Sequence, residues 1–343
     1  MAKASKLSSG KWRCKAYYTD ENGKYTSKSF TRDTKRDAEG AAAAWLVEME
    51  HDIKPENKTI GELVDRYIDN LSNLHSPSTI LGYRKKRNAA FKEIMEVRAG
   101  HLTQQKYQAA VNNYAKGRKP KTVIEAHNLM RMVFRENHIK IDMKNVQLPQ
   151  KVKTEIQVPE TEHVKLLIEL CKNTSVYLPV ILAAMLGLRK SEIFALTWGD
   201  VDIENSTLRV NKAIVQNEFN EYVIKETKTV NSNRILHMPQ VVTDALPPRK
   251  DDNEMLMDMP YAVFTNRYRR VMRKMPEKYT FHALRHYYAS VMLMQGVPTK
   301  YAIERMGHST DNMLKQVYQH TFPDKQAEFD KTMENFFKDS GIG

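Results

Sequence analysis

The spacing of apolar and polar positions changes twice along the chain. Near the N-terminus, Gly10-Lys-Trp-Arg-Cys-Lys-Ala-Tyr-Tyr18 sets aromatic and small apolar residues between charges with a period of two. Lys24-Tyr-Thr-Ser-Lys-Ser-Phe-Thr31 repeats the alternation. This is the pattern of half-buried strands. Asp20-Glu-Asn-Gly23 lies between them, and Asn22-Gly23 favours a hairpin. From Thr34 to about Asp52 the period becomes helical, with four alanines ahead of Trp45. A small sheet of two or three strands packed on one helix is therefore expected over residues 1–52.

Residues 53–58 have no period and read as a linker. Thr59-Ile-Gly-Glu62 is a capping-box pattern opening a helix that runs to about Leu74. Ser76-Pro77 opens the next, with proline at an early helical position, and Lys119-Pro120 leads into a third, with Leu129, Met132 and Val133 on its apolar side. Residues 59–147 are expected to be all-helical, and residues 148–158 form a second linker. From Pro159 to residue 343 the pattern is helical, with one interruption. Thr207–Val215, Glu221–Lys228 and Arg234–Met238 alternate as strands, the last two separated by an Asn231-Ser-Asn233 turn. The expected class is multidomain α+β. It has an N-terminal three-stranded sheet plus helix, an all-α block, and a mainly α C-terminal domain with a small antiparallel sheet. A length of 343 residues suits such a division at about 150 per domain.

Charge adds a partner to this outline. Hydrophobic residues make up 41% and charged residues 28%, which excludes a disordered chain. The net charge is +13, and it is concentrated. Residues 1–36 hold ten Lys or Arg and three acids; residues 81–153 hold seventeen and five, a net +12. A basic surface of that density points to nucleic acid. Arg84-Lys-Lys-Arg87 covers a full helical turn, so it is not expected to form one salt-bridged face and reads as phosphate-contacting. Arg13, Lys15 and Lys28 on the sheet, and Arg84, Lys85, Lys86, Arg87, Lys119 and Lys121 in the helical block, are the DNA-binding candidates. Cys14 and Cys171, 157 residues apart, build neither a disulfide framework nor a cysteine zinc site, which suits a reducing compartment. The longest apolar run, Tyr177–Leu188, spans 12 residues and contains Pro179, too short for a bilayer. The first residues carry no apolar run after their positive charge, so no secretory signal is expected. A cytoplasmic protein without membrane partners follows.

Three stretches of the last domain carry candidate chemistry. Gly187-Leu-Arg189-Lys-Ser-Glu192 places an arginine after a helix break, at the start of the next helix. His282-Ala-Leu-Arg285-His286 puts His282 and Arg285 on one helix face. Gly307-His308 is a helix stop followed by Ser309 as N-cap, and Tyr318 comes ten residues after His308. Singly, each has an ordinary reading: a surface ion pair from Arg189 to Glu192, a helix-end histidine, a packing tyrosine. His282 and His286 have zinc-pair spacing, but Arg285 is a fixed cation between them and the text is not H-E-x-x-H. No metal is expected. Nor is a nucleotide cofactor, since the chain has no Walker A, no G-x-G-x-x-G and no carboxylate cluster.

Taken in order, Gly-Leu-Arg, a hairpin lysine, His-x-Leu-Arg-His, Gly-His and Tyr resemble the tyrosine recombinases, the phage-integrase family of site-specific DNA recombinases. The likeness covers almost the whole chain. Residues 1–52 are similar to the family's arm-type DNA-binding domain, residues 59–147 to its helical core-binding domain, and residues 159–343 to its catalytic domain. The resemblance implies that Arg189 and Arg285 hold the scissile phosphate, that His282 and His308 are the site's two further hydrogen-bonding groups, and that Tyr318 is the nucleophile. Lys228 matches the hairpin lysine, with Lys225 three residues away as the alternative. Glu192 matches a supporting acidic position. The family often follows its hairpin with R-x-I-P-L; here the text is Arg234-Ile-Leu-His-Met, without the proline. The resemblance further implies double-stranded DNA partners at core and arm sites, a tetramer assembled on DNA, and an excisionase or host DNA-bending protein as accessory. Gln326–Lys338, with Phe329, Met333, Phe336 and Phe337 at helical spacing, packs on its own domain or docks on a neighbouring protomer. A type IB topoisomerase-like relaxer and a non-catalytic DNA-binding regulator are the alternatives.

Overall fold

The computed structural model describes residues 3–19, 25–53, 57–152, 156–226 and 233–307. The chain divides into two compact units, residues 1–152 and 153–343.

In the first unit, β1 (Ser5–Lys6), β2 (Trp12–Thr19) and β3 (Tyr25–Arg32) form an antiparallel sheet in that order, followed by α1 (Lys35–Ile53). The strand alternation decides which face α1 covers. Cys14 and Ala16 are buried with Ala38 and Ala42, whose small side chains let helix and sheet approach closely. Trp45 closes this core against Tyr18 and Phe30, with ring centroids at 4.9 and 5.6 Å. Thr34 caps α1, its hydroxyl accepting from the Asp37 amide at 3.2 Å. The opposite face of the sheet carries Arg13, Lys15 and Tyr17, paired across the strands with Thr31, Ser29 and Ser27. β1 is a two-residue edge strand with no alternation long enough to announce it in the sequence. The Asn22-Gly23 turn lies outside the described residues.

The same unit contains α2 (Ile60–Leu71), α3 (Pro77–Ala89), α4 (Lys92–Met95), α5 (Gln104–Ala115) and α6 (Pro120–Glu136). The capping box forms at the start of α2: the Glu62 amide donates to the Thr59 hydroxyl at 3.2 Å and the Thr59 amide to Glu62 at 2.7 Å. The helix ends at Leu71 rather than Leu74, because the Ser72 hydroxyl and amide turn back onto the Asp69 carbonyl. The helices share a core that includes Leu63, Val64, Ile68, Phe91, Tyr107, Leu129, Val133 and Phe134.

The second unit contains α7 (Thr161–Cys171), α8 (Tyr177–Leu186), α9 (Lys190–Ile193), β4 (Val201–Asp202), β5 (Thr207–Val210), β6 (Lys212–Gln216), β7 (Tyr222–Glu226), β8 (Arg234–His237), α10 (Gln240–Thr243), α11 (Tyr261–Met272), α12 (Phe281–Met294) and α13 (Thr299–Met306). α8 is apolar on every side and buried, with Val180, Ile181, Leu182 and Leu186 all in the core. Its neighbours include α12 and α7. The strands correct the sequence reading. The run Thr207–Val215 is broken at Asn211 into two strands that enter different sheets. β5 pairs with β4 and with β8, whereas β6 and β7 form a separate hairpin. The cause is Lys212, drawn to Asp200 at 2.8 Å and to the Thr197 hydroxyl at 3.0 Å, which redirects the chain just after the buried Val210. Cys14 and Cys171 are both buried thiols. Among the described residues no helix is long and apolar enough to cross a membrane.

Candidate active site

Two helix C-termini meet around one arginine. α8 ends at Gly187 with φ +66°, and α13 ends at Gly307 with φ +62°, both in the left-handed region that glycine adopts without a Cβ clash. At Gly187 there is a second reason for glycine: a Cβ would collide with the Tyr288 ring and lie 2.9 Å from Met306 Sδ. Between these ends sits Arg285 of α12, fully buried. Its two Nη groups donate to the carbonyls of Gly187 and Met306. These carbonyls form the negative poles of α8 and α13, which suit a cation. Burial, and then the nearby Arg189, pushes the Arg285 pKa down to about 9, so it remains charged at neutral pH. Its Nε is buried and has no hydrogen-bond partner among the described residues.

The Gly187 break also places Arg189. Buried Leu188 anchors the turn, and Arg189 becomes the N-cap of α9. Its amide donates to Glu192 Oε2 at 2.9 Å, its Nη1 to Glu192 Oε1 at 2.6 Å, and its Nη2 to the Gly307 carbonyl at 2.9 Å. Glu192 is buried. Burial alone would raise its pKa. The Arg234 charge and hydrogen bonds, followed by the charges of Arg189 and Arg285, outweigh this and hold it down to about 2. The carboxylate is therefore ionised throughout the neutral range.

His282 stands in the first turn of α12, open to solvent on one side. Partial desolvation and then the Arg285 and Arg189 charges push its pKa below the ordinary 6.5, so at neutral pH the ring can accept a proton. His286 lies one turn on, its ring edge-to-face with His282 at 4.7 Å. Burial, then His282 and Arg285, lower it to about 4, and its Nδ1 is buried with no hydrogen-bond partner among the described residues.

The structure thus brings Arg189, Glu192, Arg285 and His282 together. Lys228, His308 and Tyr318 lie outside the described residues. Lys225, the alternative lysine, is on β7 opposite Ala213. Sequence reasoning passed over Arg234, whose buried guanidinium binds both Glu192 oxygens. The available signal was its place at the head of the R-x-I text after the hairpin. Among the described residues no group of three His, Cys, Asp or Glu could hold a metal ion.

The basic candidates differ in their surroundings. Lys28 does not share a face with Arg13 and Lys15. It pairs with Ala16 on the α1 side of the sheet, its ammonium 4.8 Å from the centroid of the Trp45 ring. The Arg84–Arg87 cluster is largely ion-paired. Arg84 bridges Asp65 and Asp69, Arg87 bridges Asp65 at 2.9 Å, and Lys86 lies 3.6 Å from Glu125. A full turn of basic residues finds acids on two different helices, α2 and α6. Lys85, Lys119 and Lys121 are exposed.

Residues 157–325 match the model of the phage integrase family. Over 93% of its length the chain is 24% identical to a XerC-like tyrosine recombinase of Caldanaerobacter subterraneus subsp. tengcongensis, spanning 94% of that protein. The Tn1549 transposon integrase in complex with a circular intermediate DNA has the same fold, with a TM-score of 0.67 at 20% identity over 80% of this chain and 100% of that one. A lambda integrase dimer bound to a core site gives 0.57 at 18% identity over 92% and 94%. The fold is that of the integrases. Residues 157–325 belong to the phage integrase family, and the chain is a tyrosine recombinase.

Proposed function

We propose that the protein is a site-specific DNA recombinase that integrates and excises a phage or conjugative mobile element through a 3′-phosphotyrosine intermediate. The observation that carries this is the convergence of Arg189, Glu192 and Arg285 at the ends of α8 and α13, beside a proton-accepting His282. A phosphodiester anion resists attack until its oxygens are neutralised. Arg285 stays charged at neutral pH, and the planar guanidinium groups of Arg189 and Arg285 suit the phosphate oxygens in bidentate geometry. Tyr318 attacks the phosphorus and passes its proton to His282; His308 donates to a phosphoryl oxygen. The bond to the 5′ oxygen breaks as Lys228, or Lys225 in its place, protonates that leaving group. The tyrosyl–phosphate ester preserves the bond energy until the 5′ hydroxyl of a second duplex attacks and displaces the tyrosine. Protein side chains supply every proton, so neither metal nor nucleotide enters the scheme.

In this reading residues 1–52 form an arm-type domain whose open sheet face, with Arg13 and Lys15, meets DNA. Residues 59–147 grip the core site through exposed lysines such as Lys85, Lys119 and Lys121, and residues 159–343 cut it. Four protomers assemble on DNA, as in the lambda integrase tetramer on a Holliday junction. An excisionase or a host DNA-bending protein sets direction, and the work is done in a bacterial cytoplasm. The test is a covalent trap: the full chain with nicked DNA flanking its own gene, in EDTA, on a denaturing gel. The expected result is an adduct that tolerates EDTA and disappears in Tyr318→Phe while DNA binding persists. Tight binding with no adduct would favour the non-catalytic regulator. An adduct accompanied by relaxation of supercoils, without exchange between duplexes, would favour the topoisomerase-like relaxer.

A further inference from the structure

A third arginine stands behind the two phosphate-binding ones, on a strand rather than a helix. Arg234 opens β8, and its side chain is 5% exposed. Every guanidinium nitrogen is engaged: Nη1 and Nη2 reach Glu192 Oε1 and Oε2 at 3.3 and 2.9 Å, and Nε donates to the Arg305 carbonyl at 2.9 Å. Glu192 turns the same two oxygens toward Arg189, receiving Nη1 at 2.6 Å and the backbone amide at 2.9 Å. One carboxylate therefore lies between two guanidinium groups, one exposed enough to meet a ligand and one sealed away. The side chain of Arg189 is 33% exposed, against 3% for Glu192.

A lone Glu192–Arg189 pair would cancel the charge that a phosphate needs. With Arg234 present, the cluster of Arg189, Arg234, Arg285 and Glu192 keeps an excess of two positive charges. Arg234 also grips the last turn of α13 two residues ahead of Gly307, whose carbonyl receives Arg189 Nη2. We propose that Arg234 is a positioning residue for strand cleavage, neutralising and anchoring Glu192 so that Arg189 is held in place with its positive charge left for the scissile phosphate. The inference rests on the recombinase reading of this site. It is distinct from a packing role, because it assigns Arg234 an effect on charge in front of Arg189, where Arg234 itself does not reach.

The test uses the full chain and the nicked-DNA trap, comparing wild type with Arg234→Gln and Arg234→Lys. Three quantities are read: the adduct rate at saturating DNA, the Kd for the same DNA, and the pH dependence of the rate. Losing one preorganised charge contact at such a site typically slows chemistry about a hundredfold. Arg234→Gln is expected to show that loss with Kd altered less than about threefold. Its acid limb should move toward neutral pH, because among the described residues the Glu192 carboxylate is then left with the charges of Arg189, the N-cap of α9, and Arg285 on α12. Arg234→Lys keeps the charge but not the three-pronged grip, and is expected to recover about a tenfold part of the rate and return the acid limb toward wild type. If Arg234→Gln fails to fold, Arg234→Lys against wild type carries the comparison through the shape of the pH profile. Wild-type rates in both variants would overturn the proposal. So would an equal loss in both with an unmoved acid limb, which marks a purely structural residue. A wild-type chain that forms no adduct would instead sink the recombinase reading, and this inference with it.

Discussion

Glu192 shows how much one buried carboxylate can organise. It is buried, so its charge depends on the guanidinium groups around it, and removing either side leaves the other uncompensated. Glu192→Gln is expected to destabilise the chain by about 3–5 kcal/mol in urea unfolding, as breaking buried ion pairs does. The pH dependence has a definite sign. A carboxylate held down to about 2 stabilises the fold fully above its ordinary 4.5, and that contribution, roughly 3 kcal/mol, is lost as pH falls from 4.5 through 2. His286 acts earlier. Its pKa is lowered to about 4, so below 6.5 the unfolded chain takes up a proton that the folded one refuses, and stability declines from pH 6.5 toward 4. Thermal melts of His286→Leu should show a flatter curve over that window than wild type; an unchanged slope would contradict the burial argument. At this scale the sequence was informative where residue types recur in a fixed order, as for Arg189, His282 and Arg285. It marked Arg234 only as the head of the R-x-I text, because a single arginine on a strand acquires its role from a carboxylate 42 positions away.

Helix ends, more than helix interiors, position this site. Arg285 is held by the carbonyl ends of α8 and α13, and Arg189 by the N-cap of α9. Gly187→Ala forces a side chain into the left-handed region, a cost of about 1–2 kcal/mol, and drives its Cβ into Tyr288 and Met306. Its expected signature is a lowered Tm together with loss of adduct formation, since the same turn sets Arg189. Thr59→Ala removes one side of the α2 capping box and should lower stability by about 1 kcal/mol while leaving the adduct rate on bound DNA unchanged. A cleavage defect there would show that α2 does more than support its own helix block. Caps and breaks such as Thr59-Ile-Gly-Glu62 and Gly187-Leu-Arg189 were legible because their chemistry is local. The division of Thr207–Val215 between two sheets was not, because the alternation runs unbroken through Asn211 and only the Lys212–Asp200 pair reveals the change of direction.

Across the whole molecule, charge excess and charge availability differ. The count over residues 81–153 omits Asp65 and Asp69, one helix earlier, which the structure turns onto Arg84 and Arg87. Exposed Lys119 and paired Arg87 should therefore behave differently on DNA. Lys119→Gln is expected to reduce the slope of log affinity against log salt by about one, and Arg87→Gln by clearly less. Equal slopes would mean that the Asp65 pair opens when DNA binds. The two thiols carry a practical consequence for following such events. Cys14 and Cys171 both lie inside their units, and burial pushes the Cys171 thiol up to about 12. Neither should react readily with a maleimide dye or a mild oxidant while the protein is folded. A cysteine introduced at an exposed position such as Asn266 would then be the one site that labels, letting a fluorophore report the motions of otherwise unaltered protomers as strands change partners.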